Sequence, residues 1–221
     1  MTAPVIDGEG HLLGWISIDD VVDVIREEAE HTMLAGAGLD EEDDMFAPIV
    51  QSARRRWIWL SVNLVTAFLA AFVLYAFEPT LDQIVATAVL FPIVMSMGGI
   101  AGTQTLTVMV RKMALGDIDV VNAKDAVIKE ATVALLNGFI FAVLMGIVAY
   151  IWFDVPRLGL VIGLAMVFNL LIAGLFGAFI PLMLKRMNID PAVGSSVLLT
   201  TATDVFGFLS FLGLASLILI K

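Results

Sequence analysis

Five stretches of this 221-residue chain are long and apolar enough to cross a bilayer. They run over about 57–77, 83–110, 131–153, 158–184 and 195–220, each near or above the roughly twenty residues that a helix needs to span hydrocarbon. The breaks between them, EPTLDQ, RKMALGDIDVVNAKDAVIKE, DVPR and KRMNIDPAVG, carry the polar and charged residues. With the N-terminus in the cytoplasm, ten of the twelve Lys and Arg lie on the cytoplasmic side, among them Arg54, Arg55 and Arg56. Only Arg157 and Lys221 fall outside, so the positive-inside rule selects N-in, C-out. Trp57, Trp59 and Trp152 stand near span ends, where aromatic belts form. The expected fold is an all-α, multi-pass membrane protein of five transmembrane helices.

Charge divides the chain in two. Residues 1–53 hold thirteen acidic residues and one basic one, and residues 54–221 hold nine acidic and eleven basic. The lead lacks the basic start and apolar middle of a signal peptide, so it is expected to stay in the cytosol. An acidic, basic-poor lead also excludes nucleic acid as a partner, because phosphate binding needs clustered Lys and Arg. APVID and LLGWIS read as short strands joined by Asp7, Gly8, Glu9 and Gly10. Asp19 or Asp20 then caps a helix with Val21, Val22, Ile25 and Ala29 along one face. This strand–turn–strand–helix buries too little to fold by itself, so residues 1–39 read as a short α/β fragment of a larger domain. Residues 40–56 read as a connecting helix, acidic at its start (Asp40 to Asp44) and basic at its end, a polarity that suits the helix dipole. Residues 57–221 form the membrane body.

Asp204 is the one carboxylate well inside any predicted span. Such an acid is expensive in hydrocarbon and by default marks an ion path; the structural alternative is an Asp bonded to neighbouring helices. Thr200 and Ser196 lie one and two turns before it on the same face, and Thr201 and Thr203 add oxygens. The second unusual stretch is FPIVMSMGGIAGTQ, residues 91–104. Gly98 and Gly102 make a Gly-x-x-x-Gly pair, which by itself signals close helix packing as readily as a pore. Pro92 frees a backbone carbonyl one turn earlier, and Ser96, Gly99, Thr103 and Gln104 extend a polar face. On this reading the proline and glycines expose backbone oxygens to water and a hydrated cation.

All these ligands are hard oxygens. The chain has no cysteine, and His11 and His31 lie outside the spans, which disfavours zinc, copper and iron. One carboxylate per chain is too few to strip a divalent ion, but it suits Mg²⁺, which keeps most of its waters. Two chains on a two-fold axis would place two copies of Asp204 on one ion. Ligand chemistry alone leaves Co²⁺, Mn²⁺ and Na⁺ open. The spans hold no His, no Cys and no Ser–base pair, so an enzyme is not expected. A proton- or sodium-coupled secondary carrier using Asp204 is the alternative, although carriers usually string several acids through their spans or show repeated halves.

PIVMSMGGIAGTQTLTVMVRKMALGDI, followed by NIDPAVGSSVLLTTATDVFG, resembles the MgtE family of magnesium transporters over nearly all of residues 40–221. The resemblance implies a homodimeric pore in the inner membrane, lined by the second and fifth helices and in contact with membrane lipid. It places the pore aspartate on Asp204 and the ion-holding backbone carbonyls on Ser96, Gly99 and Thr200. Gly98, Gly102, Thr103, Gln104 and Thr203 line the pore, and a family glutamate at the start of the third helix falls on Glu130. The common motif Gly-Gly-Asn-x-Gly-Asn-Gln is altered here, with Ile100 and Thr103 at the asparagine positions. Backbone ligation survives that change and the asparagine amides do not, so breadth across Mg²⁺ and Co²⁺ is expected. PVIDGEGHLLGWISIDDVVDVI resembles the end of the family's second CBS domain. Its acidic residues would belong to sensor Mg²⁺ sites that close the pore, making Mg²⁺ regulator as well as cargo, with residues 41–56 as the coupling helix.

Overall fold

The structure, a computed structural model, describes residues 2–37, 39, 46, 48–83, 85–118 and 122–219. Asp40 to Asp44 and Lys221 lie outside the described residues. Two antiparallel strands, β1 (Thr2–Ile6) and β2 (Leu12–Ser17), precede helix α1 (Ile18–Gly36). The membrane body follows as α2 (Ile49–Ala76), the short α3 (Glu78–Gln83), α4 (Val85–Ala114), α5 (Ala123–Phe153), α6 (Pro156–Arg186) and α7 (Ser195–Leu219). Among the described residues, α2, α4, α5, α6 and α7 are long and apolar enough to cross a membrane. The chain is an all-α, multi-pass membrane protein with a small two-stranded hairpin in front.

The strands fall where expected, but the helix cap moves by one residue type. Ser17, not Asp19 or Asp20, is the N-cap of α1. Its backbone N–H and hydroxyl both donate to the Asp20 carboxylate at 2.7 Å, while the Asp20 N–H donates back to Ser17 Oγ at 3.3 Å. Asp20 is thus the third helical residue of a capping box. The apolar face of α1 is left open: Val21, Val22 and Ile25 are exposed, and Ala35 is the buried residue of the helix.

α2, α4, α5 and α6 run longer than hydropathy predicts. α5 begins at Ala123, eight residues ahead of the apolar run, and α2 begins at Ile49 and carries Arg54, Arg55 and Arg56 without a break into the first span. Helical hydrogen bonding does not stop where hydrocarbon does, and polar ends project into the headgroups. α4, at 30 residues, is about 45 Å long at 1.5 Å per residue. Left-handed residues follow three helix ends, Gly116 (φ 74°) after α4, Asp154 (φ 54°) after α5 and Asn188 (φ 57°) after α6. EPTLDQ, expected as a plain break, is the helix α3.

α6 is the axis of the bundle. Its Leu158, Val161, Ile162, Met166 and Leu170 pack with Leu90 and Val94 of α4, Met145 and Ala149 of α5, and Phe211 and Leu212 of α7. Lipid tails are as apolar as these side chains, so close backbone approach must hold the helices together. α5 and α6 meet at Gly146 and Gly159, where a Cβ added to Gly159 would stand 2.6 Å from the Gly146 carbonyl oxygen. α2 is peripheral. It packs mainly on α7 and buries Ala70, while Phe68, Phe72 and Tyr75 remain exposed.

Candidate functional site

Three contacts set the antiparallel register of α4 and α7. The Phe91 ring lies 4.7 Å from Phe208 and 6.2 Å from Phe211. The Met95 thioether fills the space beside Gly207, and Leu199 fills the space beside Gly102. Asp204, between Leu199 and Gly207, therefore stands at the height of residues 95–102, the stretch that contains Ser96 and Gly99.

The glycine-rich stretch divides into two faces. Gly98 and Gly102 are buried. A Cβ on Gly98 would strike the side chain of Asn169, and a Cβ on Gly102 would lie 3.0 Å from Leu199. These two glycines pack helices, as their spacing alone allowed, and they do not line an open face in this chain. Thr203 is buried as well, its hydroxyl bonded at 3.0 Å to the carbonyl oxygens of Leu199 and Thr200. On the other face of α4, Ser96, Ile100, Thr103, Gln104 and Thr107 are exposed and Gly99 is half-buried. Nothing lies within 4 Å of a Cβ built on Gly99. On α7, Thr200 is exposed and Ser196 and Asp204 are half-buried.

Nor is the stretch unwound. α4 remains helical through Pro92 and all three glycines, so its carbonyls are not bare in the way the composition implied. Each keeps its helical geometry and spends one lone pair on its intrahelical hydrogen bond. The hydroxyls sharpen this. Thr103 donates to the Gly99 carbonyl oxygen at 2.9 Å, Thr107 to that of Thr103 at 2.8 Å, and Thr200 to that of Ser196 at 2.9 Å. A hydroxyl that spends its proton on its own helix presents only lone pairs outward. The exposed face thus offers acceptors, which suit the water protons of a hydrated cation. Among the described residues, none donates a hydrogen bond to Asp204 or pairs with it, so among them the structural alternative of an Asp tied to its neighbours finds no partner.

Glu130 falls elsewhere. It lies in the third turn of α5, where its Oε2 accepts a hydrogen bond from the buried Thr105 hydroxyl at 3.2 Å and Lys129 stands 3.8 Å from Oε1. Thr105 is on the packed side of α4, so Glu130 shares no face with Asp204. Where the exposed face of α4 runs toward Arg111, α1 lies across it. A groove of about 950 Å³ separates them, lined by Val24, Ile25, Glu28, Thr32, Thr103 and Ser196 among others. His31 Nδ1 of α1 is 3.7 Å from Asp190 Oδ2 in the α6–α7 connection. Sequence reasoning missed Asn169, fully buried at the junction of α4, α6 and α7. The signal was a lone amide in the apolar run LAMVFNLLIAG.

Residues 91–214 match the family MgtE, described as divalent cation transporter. That span begins in the glycine-rich stretch and includes Asp204. The chain is 34% identical over 220 residues to the magnesium transporter MgtE of Thermus thermophilus, 32% over 217 residues to that of Enterococcus faecalis and 30% over 218 residues to that of Bacillus subtilis. Each alignment covers 98% of this chain and 48% of the relative, so the chain spans about half the length of the curated relatives it matches. With more than half of its residues inside the family match and the same stretch carrying the acceptor face and its lone acid, this chain belongs to the MgtE family of divalent cation transporters.

Proposed function

We propose that the chain conducts hydrated Mg²⁺ across the membrane, along a path lined by the exposed faces of α4 and α7. The observation that carries this reading is Asp204, an unpaired acid within an apolar span, level with the acceptor face of Ser96, Gly99 and Thr103. A second copy of the chain, related by a two-fold axis, closes the open face and brings two Asp204 carboxylates to one ion. The carboxylates attract and orient the hydrated ion, while threonine oxygens and the Ser96 carbonyl accept hydrogen bonds from its waters. Mg²⁺ gives up water reluctantly, so a face of acceptors fits it better than a cage of direct ligands. The relatives named as magnesium transporters support this choice of ion; Co²⁺ is expected to follow the same path.

Ten basic residues against two set the N-terminus in the cytoplasm, and residues 1–39 act as the end of a CBS-type module joined through 40–56 to the pore. An inside-negative potential of about 100 mV then favours entry of a divalent ion by about 4.6 kcal/mol, twice the value for one charge. Growth of a Mg²⁺-uptake-deficient bacterial strain tests the reading. The wild-type chain is expected to restore growth at low Mg²⁺ and Asp204→Ala is not; full rescue by Asp204→Ala would remove the acid from the mechanism.

A further inference from the structure

Asn169 is fully buried in the middle of α6, where a leucine would fill the same volume without a polar group to satisfy. Its Nδ2 donates to the backbone carbonyl oxygen of Val94 on α4 at 2.5 Å. Its Oδ1 is buried with no hydrogen-bond partner among the described residues, a costly condition in a dry interface. The amide lies where two glycines make room for it. A Cβ on Gly98 of α4 would come within 2.6 Å of Oδ1, and one on Gly207 of α7 within 2.9 Å. One side chain of α6 therefore touches both helices that carry the candidate pathway. It does so one residue before Gly99, two residues before Ser96 and three residues after Asp204.

We propose that Asn169 is a positioning residue of the ion pathway: its carboxamide, bonded to Val94 and wedged between Gly98 and Gly207, holds α4 and α7 at the rotation that puts the Ser96–Gly99 stretch and Asp204 on one face. The proposal rests on the reading of α4 and α7 as pore lining. The hydrogen bond fixes α4 about its own axis, because a helix that turns carries the Val94 carbonyl away from Nδ2. The two glycines fix the spacing, because any side chain there would push the amide out. Packing alone asks only for volume; positioning asks for a donor.

Asn169→Leu keeps the volume and removes the donor, and Asn169→Asp keeps the shape and can donate only while protonated. Two readouts are taken on the whole chain in liposomes. The first is Mg²⁺ uptake. The second is the distance between spin labels on Ile100→Cys of α4 and Leu209→Cys of α7, both exposed in a chain without native cysteine, measured with no divalent ion present. Asn169→Leu is expected to slow uptake about fivefold to tenfold, the worth of one buried hydrogen bond as a ratio, and to broaden the distance distribution. Asn169→Asp is expected to match wild type at about pH 5, where a buried carboxyl is protonated, and never to exceed it as pH rises. Wild-type behaviour of Asn169→Leu in both readouts overturns the proposal, as does equal impairment of both variants at about pH 5. If the wild-type chain moves no ion, the pore reading fails, and the label distances still decide the positioning role.

Discussion

At the scale of single residues, this membrane body is distinguished by where protons point. Thr103, Thr107 and Thr200 each donate inward to their own helix, so their oxygens face out as acceptors beside an unpaired acid. Ile100 interrupts that face with an exposed aliphatic side chain at a position where the common motif has an amide. Glycine roles separate in the same way, and a pair of substitutions checks the division. Gly98→Ala forces a methyl into the Asn169 amide and is expected to cost about 1–3 kcal/mol of stability, the usual range for overpacking. Gly99→Ala meets nothing within 4 Å and is expected to leave stability unchanged. Thermal unfolding of the purified protein in detergent reads both. The sequence named all three glycines and Asp204. A 3.6-residue period puts Gly98 and Gly102 on one face and Gly99 on another, but spacing does not say which face meets a neighbour. Asn169 was illegible for a related reason: its role depends on three helices far apart in the chain.

At the scale of elements, the five spans were readable from hydropathy because hydrocarbon leaves a backbone few options. Their ends were not, since helices continue into the headgroup layer with polar residues aboard. The capping box of α1 shows how local chemistry sets one end. Backbone and hydroxyl donors from Ser17 hold the Asp20 carboxyl below the usual carboxylate range. A lowered folded-state value means this contribution is complete above the unfolded-state pKa, near 3.9, and is lost as pH falls through the lower folded value. The protection of the Ser17 and Asp20 amides, taken as the ratio of intrinsic to observed hydrogen-exchange rate, is expected to fall in acid below about pH 4, and that of Ser17 to be low at neutral pH as well in Asp20→Ala. The orientation of the helices has an equally direct check. Single cysteines placed at Asp117, after α4, and at Asp154, after α5, are expected to react with impermeant maleimide from opposite sides in intact cells, Asp154→Cys from outside. Labelling of Asp117→Cys from outside would reverse the topology and put the basic loops on the wrong side of the membrane.

At the scale of the whole molecule, one copy leaves its acceptor face open, its α2 largely uncovered and α1 lying over one end of the path. On the reading proposed above, a two-fold copy would supply the missing wall, and α1, with His31 3.7 Å from Asp190, would stand where a gate stands. The central claim is narrower than gating: a hydrated divalent ion passes Asp204 down its electrochemical gradient. Flux of Mg²⁺ and Co²⁺ into liposomes holding the purified chain, with and without Asp204→Ala and with the proton gradient collapsed by an ionophore, tests it most directly. The expected result is entry of both ions through the wild-type chain, unaffected by the ionophore, and loss of at least about nine-tenths of that flux in Asp204→Ala, as removal of a membrane-embedded charge from an ion path should cause. Equal flux through both proteins would contradict the role of Asp204, and flux that stops with the proton gradient would make the chain a coupled carrier.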